Sequence, residues 1–502
     1  MAGWIYRCMI GMDANDAMTT FDQFPASATP NQRCSNIPIS LVENIADVLA
    51  FIAQTDNAML SSAIDKLDIL LSFVTVVLKT GATYFPSPHL RAKFGDLMLY
   101  AFVPPKSRGV FEHSNVMINN QAFNAVGTSN LLCTNTLALQ SLAPSLLALY
   151  GDVENTGFYD KTTHRLKISY VLKYLWTFDV HKTSIRKAAM MMDVDDATNV
   201  SSSSAFSGFS FITFANGILN QINSLISDSM GKLQSIKQVQ DEMKDQEAWF
   251  RKSEEERKHI KEKLDEDEQH VKSALMMSNE TLDMLTYLTV EIKAPFLSSE
   301  LLGRLASTLN SVLVKLAGRG GLQLKVDDPE KYHFKPKIML KQIASVYLNM
   351  STEAAFLNEV SKEFSQDFYD VAIFSKTNKL LTRMNLLTTA DINKWAAMSA
   401  TLCALIDEMR GEDAFMDDAP DEFLDPILCD IMTDPVRLPS GHVMDRNSIK
   451  QHLLNDELNP FTREKLTVDD LVPATDVKEK IDNWIKEQRA KTAASMNRDT
   501  SA

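Results

Sequence analysis

Apolar residues spaced three and four apart, repeated in block after block with few breakers between them, constrain this chain most. Leu41, Ile45, Val48, Leu49 and Ile52 fall at helical spacing, and Leu67, Ile69, Leu70, Leu71, Val74 and Leu78 make a second stripe that Gly81 should end. Comparable stripes run over 137–150 and 168–176, and core-like helices resume over 285–292, 301–316 and 338–357. Only 17 Gly and 17 Pro are spread over 502 residues, too few for short strands joined by many turns. Helix stacked on helix is the simplest way to bury such stripes. No repeat period is sharp enough to define a named solenoid by self-similarity.

Charge and cysteine usage exclude several classes of function. The net charge of −14 argues against a nucleic-acid backbone as main partner, because counterion release needs excess positive charge. The most apolar run, Ile69 to Leu78, is about half a bilayer span, so no membrane partner is expected. Trp4 to Ile10 is too short, and too soon interrupted by Arg7, for a secretory signal. Cys8, Cys34, Cys133, Cys403 and Cys429 are odd in number and far apart, which spells neither a disulfide framework nor a zinc finger. A reducing compartment, cytoplasm or nucleus, is the expected location.

Along the chain, residues 1–38 read as irregular because Pro25, Pro30 and Pro38 break any period. A helical region over 39–411 follows. Within it, 193–209 reads as a flexible insert with acidic residues and then four serines. Residues 241–272 hold 12 acidic and 8 basic residues, a charged arm expected to be a solvated helical hairpin with Glu254–Lys258 and Glu268–Lys272 pairs. The stretch 412–419 belongs to an acidic, self-repelling linker.

The last part has a different grammar. Val436–Leu438 and His442–Met444 are strand candidates around a Pro439-Ser440-Gly441 turn, and Asp445 can cap a helix from Arg446 to Leu454. Asn459-Pro460-Phe461 reads as a loop. Asp476 and Glu479 open a final helix whose Val477, Ile481, Trp484 and Ile485 share one face. The tail 491–502 should be disordered.

Residues 420–490, with DEFLDP followed by MTDPVRLPSG, resemble a U-box. The chain from about 38 to 490 is similar to the ubiquitin conjugation factors that elongate ubiquitin chains, on SLVENIADVLAFI (40–52), GDVENTGFYDK (151–161), VQDEMKDQEAW (239–249) and DPEKYHFKPK (328–337). The resemblance implies a mainly α protein, an elongated armadillo-like helical core followed by a small α+β U-box, a RING-like fold without zinc. Family members carry more helical core upstream, so the chain is expected to be a fragment, an isoform or a truncated gene product. Two RING-type zinc ions would need about eight Cys or His ligands. Residues 420–490 offer Cys429, His442 and His452. No metal and no cofactor are expected. Hydrogen bonds and ion pairs among Asp445, Arg446, Ser440 and their neighbours should fix the loops instead.

The resemblance implies transfer of ubiquitin without a ligase nucleophile. A ubiquitin-loaded conjugating enzyme docks, and the ligase confines its cargo near an acceptor lysine. By motif, Ile427 matches the apolar docking residue of the first loop and Pro460 the proline of the second. Arg463 matches a cation bridging conjugating enzyme and ubiquitin, where a guanidinium fork satisfies two carbonyls. Phe461 and Leu453 support the groove and His452 the loop geometry. On residue type alone Ile427 and Phe461 would read as core and Arg463 as a solvated charge; the motif reverses this. Cys429 lacks the His–Asp constellation of a thioester nucleophile.

Where the family has an acidic residue in the second loop, this chain has Asn459, which should leave Arg463 freer and the ligase more active. The further partners that the resemblance implies are ubiquitinated substrates, an AAA-type unfoldase and proteasome shuttle factors, with proteasomal degradation as the outcome. The competing reading is a helical scaffold that recruits pathway partners without supporting transfer.

Overall fold

A computed structural model describes residues 2–10, 24–25, 30, 32–55, 64–108, 123–153, 158–190, 211–318, 326–413, 419–454 and 456–499. It divides into two compact units, Met1–Pro295 with Leu324–Gln342, and Phe296–Gln323 with Ile343–Ala502.

The first unit is helical. Its opening segment, expected to be irregular, carries a helix over Ala2–Ile10 with Ile5, Tyr6, Cys8 and Met9 buried. All three prolines that suggested irregularity lie beyond that helix, so nothing in it opposes the helical pattern. The stripe around Leu41 does form a helix, Ile39–Thr55, but the buried face is the small-residue one: Val42, Ala46, Ala50 and Ala53. Small side chains let this helix lie close against Pro88–Phe102. Val48, assigned to the core by spacing, is 56% exposed. Lys93 pairs with Glu43 and Asp47 beside that contact.

Helix Ile64–Tyr84 continues through Gly81, because burial of Phe73, Val74, Val76 and Val77 outweighs about 1 kcal/mol of glycine cost. The 137–150 stripe contains a π-helical turn, Ala138–Leu142, before helix Ala143–Asp152. Pro144, which has no N–H to donate, sits at the junction. No single helix among the described residues is long and apolar enough to cross a membrane.

Two long helices, Phe211–Lys244 and Glu254–Glu291, pack on each other with the short helix Gln246–Arg251 between them. Ser253 and Glu256 form a reciprocal capping box that starts the second one. The charged arm is thus a helical hairpin, with both expected pairs corrected: Lys258 lies 3.9 Å from Glu262 rather than against Glu254. Glu268 faces inward and accepts hydrogen bonds from Tyr332 Oη and Lys331 Nζ, both at 2.6 Å. Gln240 donates to the same phenol at 3.1 Å, and Lys244 pairs with Asp327 at 2.6 Å. Burial, then the bond to Glu268, pushes the Tyr332 hydroxyl well above its ordinary range. Two of the sequence stretches that carry the resemblance, 239–249 and 328–337, therefore meet in space. The expected insert at 193–209 lies outside the described residues.

The second unit packs Leu302–Ala317, Ala354–Ser365, Ala372–Arg383 and Thr389–Asp413 around Tyr347. The rings of Phe356, Phe374 and Trp395 meet Tyr347 edge-on. Its hydroxyl donates to Asn310 Oδ1 at 2.6 Å, and Asn310 donates to Glu363 at 2.7 Å, so this buried polar line is satisfied end to end. The stripe over 338–357 is two helices, Pro336–Met350 and Ala354–Ser365, rather than one. Most of the 412–419 linker lies outside the described residues; helix Thr389–Asp413 reaches its first two.

The carboxy-terminal region of this unit is a small α+β fold. Strands β1 (Pro435–Arg437), β2 (Val443–Asp445) and β3 (Val472–Pro473) make an antiparallel sheet in the order β2-β1-β3. Val436 faces Met444 across β1 and β2. Val436, Leu438, Met444, Ile449, Leu466 and Leu471 form one small core, with Leu453 packed against it. Phe423, Met432 and Ile481 form a second, covered by Val477, Trp484 and Ile485 of the last helix. That helix runs over Thr475–Asp499, well into the stretch expected to be disordered. No Gly or Pro follows Thr475 to stop it.

Candidate functional site

Two loops of the small fold repeat one six-residue turn. In the first, Asp425 N–H donates to Asp430 O at 2.7 Å and Cys429 N–H to Asp425 O at 2.8 Å. In the second, Asn459 N–H donates to Glu464 O at 2.7 Å and Arg463 N–H to Asn459 O at 2.9 Å. The leading side chain accepts from the third and fourth amides each time. Asp425 Oδ1 takes Ile427 and Leu428 at 2.9 and 3.0 Å; Asn459 Oδ1 takes Phe461 and Thr462 at 2.9 and 3.3 Å. Proline is second in both, and the fifth residue is left-handed, Cys429 at φ 59° and Arg463 at φ 62°. Asp/Asn-Pro followed by an apolar residue is turn chemistry: proline fixes its own φ and the short polar side chain mimics a backbone turn.

Both turns are rooted in the β1–β2 hairpin. Asp425 Oδ2 accepts from Asp445 N–H at 2.7 Å, while Asn459 Nδ2 donates to Ser440 Oγ at 3.1 Å. Asp445 also caps helix Arg446–Leu453 through Asn447 N–H and accepts from Thr433 N–H, Thr433 Oγ1 and Asp434 N–H. Arg446 pairs with Asp434 at 2.7 Å. The polar set expected around Asp445, Arg446 and Ser440 is thus what holds the loops.

With the roots buried, the tips face outward. Asp425 is 1% exposed and Asn459 3%, whereas Ile427 is 48%, Leu428 56% and Phe461 38%. Pro460 and Leu453 are half-buried. His452 Nε2 lies 2.9 Å from Leu458 O and ties the end of its helix to the entry of the second loop. His452 is thus tied to the loop that carries Pro460, Phe461 and Arg463, Leu453 packs on the small core beside it, and Ile427 stands on the twin loop rooted in the same hairpin.

The expected release of Arg463 is corrected. The side chain at 459 points into its own turn, so an acid there would not face the guanidinium. The partner of Arg463 is instead Asp456, at 3.3 Å across an exposed surface. Two residues of the site were not foreseen. Leu428 shares the first tip with Ile427. His442 lies flat on Phe461, with centroids 4.1 Å apart and planes 10° off parallel, and its Nδ1 meets Ser440 Oγ at 3.1 Å. The repeat of Asp/Asn-Pro-apolar at 425 and 459 gives Ile427 and Phe461 but neither of these, since the counterpart of Leu428 in the twin loop is Thr462.

A small sheet and helix carrying two anchored loops with apolar tips define a U-box protein. Residues 419–490 match the U-box domain family, and residues 1–402 match the ubiquitin elongating factor core. The chain belongs to the ubiquitin elongating factor family. It is similar to a probable ubiquitin conjugation factor E4 of Arabidopsis thaliana, 30% identical over 94% of this chain and 43% of the relative. It is similar also to ubiquitin conjugation factor E4 A of Bos taurus, 31% identical over 90% of this chain and 41% of the relative. With the E4 ubiquitin-protein ligase UFD2 of Saccharomyces cerevisiae it shares 28% identity over 83% of this chain and 41% of the relative. The chain spans less than half the length of these relatives.

Proposed function

We propose that this chain is a U-box ubiquitin ligase of the chain-elongating kind. It binds a ubiquitin-loaded conjugating enzyme and promotes transfer to lysines of substrates or of ubiquitin already attached to them. The observation that supports this most is the pair of identical turns with buried anchors and exposed apolar tips, Ile427 and Leu428 on one, Pro460 and Phe461 on the other. Such tips fit a shallow apolar groove on a carrier protein, as hot-spot side chains do.

In the reaction the acceptor lysine amine attacks the thioester carbonyl of the loaded enzyme. The C–N bond forms, the C–S bond breaks, the enzyme's thiolate leaves and the amine loses a proton. The ligase contributes confinement and, through Arg463, a guanidinium for carbonyls of the carrier and its cargo. On family grounds the products go to proteasomal degradation, including degradation of proteins drawn from the endoplasmic reticulum. An AAA unfoldase and shuttle factors are partners, and the place of action is cytoplasm and nucleus.

The test is discharge of a ubiquitin-loaded conjugating enzyme to free lysine by the full chain. Ile427→Ala is expected to weaken carrier binding and slow discharge at sub-saturating carrier by about tenfold. A parent chain that binds the carrier without accelerating discharge would favour a scaffold.

The stacked pair makes a separate prediction. His442→Ala should raise the Kd for the loaded enzyme about three- to fivefold, since an aromatic pair is worth about 0.5–1.5 kcal/mol beyond its area. His442→Phe keeps the stack and should bind within about twofold of the parent by the same reasoning. Titration by calorimetry decides, and equal affinities for parent and alanine variant would remove His442 from the site.

A further inference from the structure

Within the second unit, the U-box is held by the core at two places, one just before and one just after a core helix. Lys450 Nζ lies 2.8 Å from Glu300 Oε1, each side chain only 21% exposed. Gln366, just past helix Ala354–Ser365, donates from Nε2 to Asp430 Oδ1 at 3.1 Å. Close to the first contact, Gly303 lets helix Leu302–Ala317 approach: a Cβ there would stand 3.1 Å from both Gln451 Nε2 and Glu359 Oε1. Burial pushes the Glu300 carboxyl up, but the hydrogen bond and charge of Lys450 more than reverse this and hold it below its ordinary range. The contact is a charged pair.

Neither contact touches the exposed tips. Both reach the roots of the loops that carry them. Asp430 supplies the carbonyl that closes the first turn. Lys450 and Gln451 directly precede His452, which holds the entry of the second, and Leu453, which packs on the U-box core.

We propose that Glu300 and Gln366 are positioning residues: the helical core grips the U-box by the roots of both loops and so fixes the direction in which a bound, loaded carrier presents its thioester. This rests on the transfer reading above and deepens it. A free amino acid reaches the thioester from any side, so its reaction depends on the platform alone. A protein acceptor held elsewhere on the same chain reacts only where the two sites converge, and its effective concentration falls when the platform swivels.

The full chain, Glu300→Lys, Lys450→Glu and the charge swap carrying both changes are compared in two assays. One follows discharge to free lysine; the other follows addition of ubiquitin to a substrate fused to one ubiquitin. Each single change places like charges together and should slow the protein-acceptor reaction about fivefold while discharge to free lysine stays within about twofold. The swap should recover most of the loss. Single variants that match or exceed the parent on the protein acceptor, a swap that recovers nothing, or free-lysine rates that fall in step would each overturn the grip. So would a parent active on free lysine yet inert towards the protein acceptor. A parent inert in both assays would overturn the transfer reading itself.

Discussion

Asp425→Ala is expected to melt the U-box while the helices of the first unit stay folded. The carboxylate is 1% exposed and accepts from three main-chain amides, those of Ile427, Leu428 and Asp445. Removing it leaves the Asp445 N–H, on a residue 7% exposed, with no acceptor inside the fold. A buried donor left alone costs about 1–3 kcal/mol, and the first loop loses its turn as well. A domain below about 80 residues seldom has more than about 5 kcal/mol to lose. Hydrogen exchange should therefore show protection lost over 424–445, with discharge to free lysine falling at least about a hundredfold. Parent-like protection would show that the turn does not depend on this anchor.

The conservative variants should behave unequally. Asp425→Asn sets an amide N–H against the N–H of Asp445, or, once flipped, against those of Ile427 and Leu428; either way a donor meets a donor. Asn459→Asp meets Ser440, whose hydroxyl can turn from accepting to donating. The first change should unfold the region and the second should leave discharge within about twofold of the parent. An acid at 459 that slowed discharge sharply would restore the idea that this position restrains Arg463.

How much of this was open to sequence reasoning follows from what each feature rests on. Helices defined by long apolar stripes were legible, since periodicity is a property of the residues alone. Which side of the stripe is buried was not. Helix Ile39–Thr55 has an apolar face wider than half its circumference, and only its neighbour, Pro88–Phe102, selects the small-residue part of it. The passage through Gly81 was hidden for the same reason: tertiary packing overrides a local preference of about 1 kcal/mol. Strand β3, two residues long and ending in Pro473, offers no alternation to detect. In the site, the turn residues Asp425-Pro426 and Asn459-Pro460 announced themselves. Contacts between side chains did not, neither the short-range pair Asp456 with Arg463 nor those between residues far apart in sequence. Glu300 with Lys450 is such a pair, 150 positions apart. Glu268 with Tyr332 is another.

Arg463→Gly is expected to make the U-box more stable and the ligase worse. Arg463 holds φ 62°, where a side-chain Cβ crowds the following carbonyl at a cost of about 1–2 kcal/mol. The six-residue turn imposes that conformation on its fifth position, as Cys429 at φ 59° shows in the twin loop. Glycine adopts it freely, so relief of strain should outweigh the entropy that glycine adds to the unfolded chain and raise stability by a fraction of about 1 kcal/mol. An arginine kept where the backbone disfavours it points to a task for its guanidinium. Its side chain is 73% exposed and, among the described residues, held only by Asp456, an ion pair of the kind worth at most about 1 kcal/mol, so a docked carrier can take it over. If Arg463 serves the carbonyls of carrier and cargo as proposed, losing its guanidinium should slow discharge to free lysine about ten- to hundredfold, while the Kd for the loaded carrier moves less than about threefold. Arg463→Lys keeps the charge but not the planar fork, and should fall nearer the glycine variant than the parent. Asp456→Asn frees the guanidinium in advance and should leave discharge at or slightly above the parent rate. Thermal unfolding of the variant followed through Trp484, with single-turnover discharge at saturating carrier, separates the two effects. A glycine variant that discharges at the parental rate would take Arg463 out of the transfer step altogether.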